Sequence, residues 1–155
     1  MTEEERPPVR NPLHVVPDHI QKAVVCILLD EASEPLGGRT YVQKLMFLFQ
    51  QRTETDYFEF DPMDYGPSSK ELYRILDDCI EDGYVAEIEK EDDHGRVHYH
   101  YETGDEVSVI FVQYDDEELR ETASAVVEEY PTDDLQALLE DVYSEYPKWA
   151  RNSIY

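Results

Sequence analysis

The sequence predicts an α+β fold, and three observations point to that class. Up to Gly83, apolar residues recur at the helical spacing of about 3.6 residues, and capping residues stand where helices would begin. From Tyr84 the spacing becomes alternating on both sides of the turn "DDHG", which is typical of a β-hairpin. Two further helical stretches, each punctuated by proline, occupy the C-terminal part of the chain.

The first two helices are predicted from apolar stripes that follow capping residues. The first extends from about Asp18 to Ala32, where Asp18 and Gln21 can cap its start and the segment "PLGG" ends it. The second begins at Thr40, because Thr40 and Gln43 have the spacing of a capping box. Apolar residues lie on more than one face of this second helix, so we expect it to be covered on most sides.

The third helix follows a short strand and a turn. The alternating "YFEF" (Tyr57 to Phe60) predicts the strand, and two prolines and a glycine between Asp61 and Pro67 predict the turn. Ser68 and Glu71 form a second capping box, and the helix that they open ends at Gly83. Its predicted buried face is Leu72, Ile75, Leu76, Cys79 and Ile80, and its opposite face is Lys70, Arg74, Asp77, Asp78 and Glu81.

The hairpin and the C-terminal elements complete the predicted fold. "YVAEIEKE" and "RVHYHYE" form the two strands, with His94-Gly95 near the tip. "VSVIFVQY" predicts a further strand, with a buried helical turn as the alternative, and helices follow at about Asp116–Tyr130 and Thr132–Tyr146. This order is that of a winged helix-turn-helix with a β-hairpin wing and two C-terminal helices.

The charge of the chain is far from balanced. Among the 155 residues, 37 Asp and Glu face 13 Lys and Arg, which gives a net charge of -24. The acidic residues are spread through every segment, which favours a surface adapted to a salt-rich cytoplasm over an acidic interaction tail. At ~1 M salt the Debye length is about 3 Å, so repulsion among dispersed carboxylates is largely screened. The alternative is a nucleic-acid mimic, which would have acidic rows at phosphate-like spacing.

Several classes of protein are not expected from this sequence. No stretch reaches the ~20 apolar residues of a membrane span, and the opening "MTEEERPPVRNP" lacks an apolar signal core. We therefore expect a cytoplasmic protein with no membrane partner, consisting of a disordered tail (residues 1–12) and a single domain (13–155). Cys26 and Cys79 are isolated on predicted apolar stripes, which is typical of buried free thiols.

Two segments resemble a known family. "YVQKLMFLFQ" and "FEFDPMDYGPSSKELYRILDDCIEDGYV" are similar to the YwgA-like family and the related Panacea, or SocA-like antitoxin, domain. Those families have a lysine-leucine pair in a helix, a tyrosine-glycine-proline turn and a following helix that ends in glycine. The matching residues here are Lys44, Leu45, Tyr65, Gly66, Pro67, Ser69, Gly83, Tyr84 and Val85, and the ending "EYPKWARNSIY" is similar to the family's C-terminal tail.

The resemblance spans about Asp18 to Gly104 and implies a winged-helix fold, frequently associated with phage or defence functions, without an established reaction. In the shared turn, Gly66 and Pro67 are expected to shape the backbone and Ser68 to cap the third helix. This chain departs from the family pattern twice. The family usually has an aromatic residue at Ser68, and it commonly continues as a helix after Gly104, where this sequence predicts a strand.

Our first functional hypothesis is a DNA-binding regulatory protein of a halophile, with double-stranded DNA as its partner. In a winged helix the third helix enters the major groove and the wing touches the backbone or minor groove. The candidate contacts are Ser69, Lys70 and Arg74 on the helix and Lys90 and Arg96 on the wing. For Arg74 the alternative is a local ion pair with Asp77 or Asp78.

The second hypothesis is an antitoxin-like adaptor on the same scaffold, whose acidic helix docks on a protein partner without binding DNA. The two hypotheses differ in one structural feature: DNA binding requires a basic island around the third helix and wing, and the adaptor role does not. The C-terminal aromatic residues Tyr143, Tyr146 and Trp149 are candidates for a homodimer interface, because tyrosine and tryptophan favour interfaces. Their alternative role is to close over the domain's own core.

No enzymatic function, cofactor or metal site is predicted. The sequence has no nucleophile elbow, phosphate-binding glycine loop or metalloprotease helix. His98 and His100 share one strand face, a spacing that metal ligands can have, but no third ligand with matching spacing accompanies them.

Overall fold

The computed structural model describes residues 15–63, 66–130 and 135–149. The described helices are α1 (Asp18–Glu31), α2 (Arg39–Gln51), α3 (Lys70–Asp82), α4 (Val107–Gln113), α5 (Glu117–Glu129) and α6 (Leu135–Glu145), followed by a 3₁₀ turn at Pro147–Trp149. The described strands are β1 (Leu36–Gly37), β2 (Asp61–Met63), β3 (Gly66–Ser68), β4 (Val85–Glu91) and β5 (Val97–Thr103). The α+β class is therefore confirmed. The predicted N-terminal tail (residues 1–12) and Tyr65 lie outside the described residues.

The strands form two small antiparallel sheets. The larger sheet has the order β1–β5–β4, and the smaller one pairs β2 with β3. The two antiparallel strands predicted around "DDHG" are present as β4 and β5, paired from Val85 with Thr103 to Glu91 with Val97. The sequence did not predict β1, which lies in the "PLGG" segment and pairs with β5 at Leu36–Tyr101 and Gly37–His100.

The second helix is covered on most sides, as predicted. Every residue from Tyr41 to Gln50 is buried, including three polar ones. Around α2, buried apolar side chains of the other five described helices and of β1, β4 and β5 form one continuous cluster. A helix in this position buries apolar area over its whole circumference, at about 25 cal/mol per Å².

The predicted side-chain caps of α1 and α2 are wrong. The residues before these helices are Pro17 and Gly38, and neither caps through a side chain. Gln21 instead donates from Nε2 to the carbonyl oxygen of Tyr57 at 2.8 Å. Capping-box spacing predicts a hydrogen bond within the first helical turn. Here the side-chain amide of Gln21 instead donates to a buried backbone carbonyl 36 residues away.

The third helix begins one residue later than its capping box predicted. Ser69, not Ser68, is the capping residue, and its hydroxyl oxygen accepts a hydrogen bond from the amide of Leu72 at 3.0 Å. Ser68 belongs to β3, so its backbone is extended and paired with Asp61. The predicted end is confirmed: Gly83 has φ +81°, a left-handed conformation that glycine adopts at helix C-termini.

The predicted strand "YFEF" is wrong. Tyr57, Phe58 and Phe60 are buried, but this segment pairs with no strand. Its backbone groups are satisfied by side chains: the amide of Phe58 donates to Gln50 Oε1 at 2.8 Å, and Gln50 Nε2 donates to the Phe58 carbonyl at 2.9 Å. Because glutamine side chains take the place of a neighbouring strand, the segment stays irregular and buried.

The segment "VSVIFVQY" forms helix α4, so the predicted strand is wrong and the alternative, a buried helical turn, is observed. Ile110 is buried, and Val107 and Phe111, which lie three residues before and one after it, are partly buried against the core. The chain reverses just before α4, where the amide of Glu106 donates to the carbonyl of Gly83 at 3.0 Å. This reversal carries the segment away from the sheet and onto α1, so no strand edge is beside it.

An arginine joins three helices at the far side of α1. Arg120 of α5 donates from Nη1 to Asp30 Oδ2 at 2.6 Å and to Glu31 Oε2 at 2.9 Å, and from Nε to Asp115 Oδ1 at 2.7 Å. Its guanidinium carbon lies 4.5 Å from the ring centroid of Phe111 in α4. The hydrogen bond to Asp115 is the largest cause that raises the pKa of Arg120 above its ordinary value.

Within the described ranges, no helix combines the length and apolar character that crossing a bilayer requires.

Candidate interaction surface

The backbone that leads into α3 is held by two buried side chains of α2. Gln43 binds both backbone groups of Ser69: its Nε2 donates to the Ser69 carbonyl, and its Oε1 accepts from the Ser69 amide, each at 2.8 Å. The neighbouring Lys44 donates from Nζ to the carbonyl oxygen of Pro67 at 2.7 Å. The position of the helix start is therefore set by α2, and this gives the buried Lys44 a structural role.

Lys44 is 2% exposed, and no ion pair neutralises its ammonium group within the described ranges. Burial penalises the charged form and lowers the pKa of Lys44 to about 8. Near neutral pH the group is still mostly protonated and its hydrogen bond to Pro67 is charge-assisted.

The glycine at the start of β3 is required by its surroundings. Gly66 has φ +86°, and a Cβ atom there would lie 2.8 Å from Cε1 of Tyr143 in α6. Pro67 beside it is buried. The turn thus packs tightly between α2 and α6, consistent with the structural role expected for Gly66 and Pro67.

Residues of the hairpin alternate between two faces. We call the face that carries the buried Val85 and Tyr101 the inner face. Beyond these residues it presents three glutamates of β4 opposite two apolar residues of β5, with Glu89 paired with Tyr99 and Glu91 with Val97. The apolar pair is exposed, Tyr99 by 45% and Val97 by 49%. The outer face presents Ile88, Lys90, His98 and His100.

Arg39 connects α3 with the inner face. Its Nη2 lies 2.7 Å from Asp77 Oδ1 of α3 and 3.2 Å from Glu87 Oε2 of β4. Its Nε donates to the Tyr101 hydroxyl at 3.1 Å, and that hydroxyl donates to Glu87 Oε2 at 2.7 Å. Burial, followed by the bond to Glu87, raises the pKa of Tyr101 to about 12. One arginine thus places α3 and the hairpin side by side.

Two basic side chains on and beside α3 are already paired with carboxylates. Arg74 Nη1 lies 3.2 Å from Asp18 Oδ2 and 3.6 Å from Asp78 Oδ2, so the ion-pair alternative for Arg74 is observed, with Asp78 and not Asp77. Lys22 Nζ of α1 lies 2.9 Å from Asp82 Oδ2. Such exposed pairs contribute little to stability, but they leave less positive charge for a ligand.

We call the exposed side of α3 together with the inner face of the hairpin the α3–hairpin surface. Its cations are Lys70 and the paired Arg74. Its carboxylates outnumber these cations, and they are Asp77, Asp78, Glu81, Glu87, Glu89 and Glu91. Asp78 is partly exposed and the others are exposed. A basic island is therefore not found on this surface.

The five residues predicted to contact DNA do not share one surface. Ser69 is 0% exposed and caps α3, so its side chain cannot reach a base and its assignment is corrected. Lys70 and Arg74 are exposed on α3. Lys90 lies on the outer face of the hairpin, away from the inner face that adjoins α3, and Arg96 is exposed at the hairpin turn.

The hairpin turn is organised by one carboxylate. Asp92 Oδ1 accepts hydrogen bonds from the amides of His94 and Arg96, each at 2.9 Å, and Asp92 Oδ2 lies 2.9 Å from His98 Nε2. The bond to His98 is the largest cause that lowers the pKa of Asp92. His100 lies against Gly37 of β1. Within the described residues, no group of three or more His, Cys, Asp or Glu could hold a metal ion.

The C-terminal aromatic residues close over the core. Tyr146 is 7% and Trp149 3% exposed, and their rings pack edge-on against Phe47 of α2, with centroid distances of 5.2 Å and 4.8 Å. Tyr143 is partly buried against Gly66. The assignment of Tyr146 and Trp149 to a dimer interface is corrected, because buried rings in the chain's own core have no surface to offer a second copy.

Sequence reasoning missed the residues that give the α3–hairpin surface its character. Arg39, Tyr99 and Val97 were not singled out, although the alternation of β5 places Val97 and Tyr99 on the same face as Tyr101. That signal was present in the sequence. The role of Arg39 was not, because its partners are 38 to 62 residues away in the chain.

No protein-family model matches this chain, and the search of curated proteins finds no match.

Proposed function

We propose that this chain is a protein-interaction module, an antitoxin-like adaptor, whose α3–hairpin surface docks on a cationic partner protein. One observation carries the proposal: Tyr99 and Val97 are exposed beside Glu89 and Glu91, on the face that adjoins α3. An exposed aromatic residue within a charged rim is a common arrangement for a protein contact.

The proposed scaffold is a winged helix in which α3 is the recognition helix and β4–β5 the wing. Its support is the order of elements, with α1, β1, α2 and α3 followed by the hairpin, and the sheet order β1–β5–β4. The bridge from Arg39 to Asp77 and Glu87 keeps α3 beside the hairpin. The resemblance to the YwgA-like and Panacea families agrees with this scaffold and suggests the adaptor role.

Charge favours a protein partner over duplex DNA. Carboxylates at Asp77, Glu81, Glu89 and Glu91 would face the phosphates if α3 entered a groove, and like charges at close range repel. A partner segment with Lys or Arg side chains and an apolar residue would instead meet complementary groups. In the salt-rich cytoplasm that we propose for this chain, screening weakens the charge contribution, so Tyr99 and Val97 would supply most of the affinity.

Duplex DNA binding stays the rival prediction, and the exposed cations Lys70, Lys90 and Arg96 are what favour it. They lie on α3, on the outer face of the hairpin and at its turn. A duplex reached by all three would have to contact both faces of the hairpin.

The test is affinity capture from a nuclease-treated lysate at the host's own salt concentration, with matched variants of the bait. Glu89→Lys combined with Glu91→Lys reverses the charge of the inner face. Glu121→Lys combined with Glu128→Lys makes the same change in net charge at exposed positions of α5. We expect a bound protein to be lost with the first pair and retained with the second.

A third variant tests the apolar contact. Tyr99→Ala should weaken the binding of the captured partner by at least about tenfold, since aromatic anchors at interfaces are worth ~2 kcal/mol or more. Equal loss with both charge-reversal pairs, or no loss with Tyr99→Ala, contradicts the proposed surface.

The rival is tested with the same proteins. Fluorescence anisotropy is measured with a random-sequence duplex of about 30 base pairs across a KCl series. We expect no binding with a Kd tighter than the roughly 10⁻⁴–10⁻⁶ M that is typical of non-specific association. Tight binding that Lys70→Glu and Arg96→Glu abolish, with no partner protein captured, would establish the DNA-binding function instead.

A further inference from the structure

Two buried thiols lie close together where α1 packs against α3. Cys26 of α1 and Cys79 of α3 are free, and both are 0% exposed. They are the only cysteines of the sequence. Neither takes part in the α3–hairpin surface, and the inference drawn from them is independent of the proposed function.

The hydrogen bonds of the two thiols are reciprocal. Cys79 Sγ donates to the carbonyl oxygen of Lys22 at 3.9 Å, which is the carbonyl that accepts the Cys26 amide in the helical ladder. Cys26 Sγ donates to the carbonyl oxygen of Tyr84 at 3.9 Å, and the Tyr84 amide donates to the carbonyl of Cys79 at 2.9 Å. Each sulfur is thus directed at the backbone that carries the other.

The electrostatics agree with this placement. The pKa of the Cys26 thiol is raised above its ordinary value, first by the hydrogen bond with Cys79 and then by burial. Lys22 lies one helical turn before Cys26, and its pKa is raised by Asp82 first, with a smaller contribution from Cys79. Both thiols therefore lie in the seam between α1 and α3, and Cys79 bonds the backbone carbonyl of Lys22 there.

We propose that Cys26 and Cys79 are a redox-sensitive pair that a small hydroperoxide converts to an internal disulfide between α1 and α3. The first thiolate attacks the peroxide oxygen and forms a sulfenic acid, and an alcohol or water leaves. The second thiolate attacks the sulfenic sulfur, the S–S bond forms, and water is released. In total, two thiols and one hydroperoxide give one disulfide, one alcohol and one water.

Burial makes this reaction slow in the closed fold. A thiol with a raised pKa has little thiolate, and the oxidant must enter between the helices. Local opening of the α1–α3 seam allows a thiol to ionise and the oxidant to enter, so the rate of oxidation should follow the frequency of that opening. Once formed, the bond closes a loop of about 50 residues and ties the proposed recognition helix α3 to the centre of the fold.

The test uses the full-length protein with hydrogen peroxide as the oxidant. We expect the loss of both free thiols, a decrease in intact mass of about 2 Da and a Cys26–Cys79 cross-linked peptide, all reversed by dithiothreitol. We also expect the melting temperature of the oxidised protein to rise by about 5–10 °C, since a loop of this length is strongly constrained in the unfolded chain.

Single variants control the assignment. Cys26→Ala and Cys79→Ala should each lose the 2 Da decrease and gain the masses of sulfenic or sulfinic acid on the remaining cysteine. Because a buried substitution can destabilise the fold, circular dichroism must first show that each variant is folded. If a variant is not folded, the peptide map of the wild-type protein alone decides the question. Thiols that stay free overnight near the melting temperature, oxidation to sulfinic acid without a disulfide, or disulfides only between chains would each overturn the proposal.

Discussion

Gly104 is the position where a single methyl group should do most harm to the proposed interaction surface. It lies between β5 and α4, where its amide donates to the Tyr84 carbonyl at 2.8 Å. A Cβ atom there would overlap the carbonyl oxygen of Gly83 and lie 3.1 Å from its carbonyl carbon and 3.2 Å from that of Val85. All three atoms belong to the backbone, so no side chain can rotate away to make room.

The expected loss follows from these contacts. Overpacking by one methyl group costs about 1–3 kcal/mol where the surroundings are rigid. The displacement also strains two hydrogen bonds, from Gly104 to Tyr84 and from Glu106 to Gly83 at 3.0 Å, each worth about 1 kcal/mol. Gly104→Ala should therefore lower the free energy of unfolding by about 3–5 kcal/mol. This is a large part of the roughly 5–15 kcal/mol that is typical of a domain.

The assay is urea unfolding at fixed salt, followed by circular dichroism, with Gly37→Ala as the matched control. Neither glycine has a positive φ angle, so the substitution introduces no backbone strain at either position. At Gly37 the nearest atom to a new Cβ is Cε1 of the His100 side chain, at an ordinary 3.4 Å. We expect Gly37→Ala to change the free energy of unfolding by less than about 1 kcal/mol.

Equal effects at the two glycines would refute the reasoning. They would mean that the joint between α3, the hairpin and α4 adjusts without loss, and that the placement of the hairpin beside α3 does not depend on it.

Three more changes test the interior. Burial lowers the pKa of Lys44 in the folded chain to about 8, so between about pH 8 and 10 the folded chain binds fewer protons than the unfolded one. The free energy of unfolding of the wild type should therefore rise by up to about 3 kcal/mol over this range. Lys44→Met should abolish that rise. Parallel urea midpoints across that pH range would contradict this. Gln43→Ala leaves the amide of buried Ser69 without its acceptor, whereas the Ser69 carbonyl still accepts from the Tyr73 amide at 3.2 Å. The loss measured by urea unfolding should be about 2 kcal/mol, and a loss below about 0.5 kcal/mol would show that the start of α3 is held otherwise. Arg120→Gln leaves three neighbouring carboxylates uncompensated, so its destabilisation should be about 1–2 kcal/mol at 0.1 M KCl and clearly smaller at ~1 M, and a salt-independent loss would point to packing against Phe111 instead.

The corrected caps show how far sequence patterns reach. The end of α3 at Gly83 was predicted correctly, because a glycine after an apolar helical stripe acts through its own backbone angle. The start was misplaced by one residue, because the capping-box spacing to Glu71 favours Ser68 as the local signal, although Ser69 is the capping residue. What distinguishes them is Gln43, 26 residues earlier, which binds the Ser69 backbone.

The segment before α5 shows the same limit. "VSVIFVQY" has the β-branched composition of a strand, and this local propensity was preferred to the helical turn that the sequence also allowed. Its conformation is decided by the bond from Glu106 to Gly83, which turns the chain before α4 and brings Ile110 against the core. Composition could not reveal this bond, because it joins residues on either side of the hairpin.

The sequence by itself determined the α+β class, the apolar faces of α1, α2 and α3, the two strands of the hairpin and the strongly acidic surface, since each depends on spacing within a few residues or on composition alone. Only the tertiary structure decided that Tyr146 and Trp149 are buried against Phe47, that Cys26 lies near Cys79, and that an acidic and aromatic face of the hairpin adjoins α3. These are contacts between residues dozens of positions apart, and their energies arise only when the helices pack.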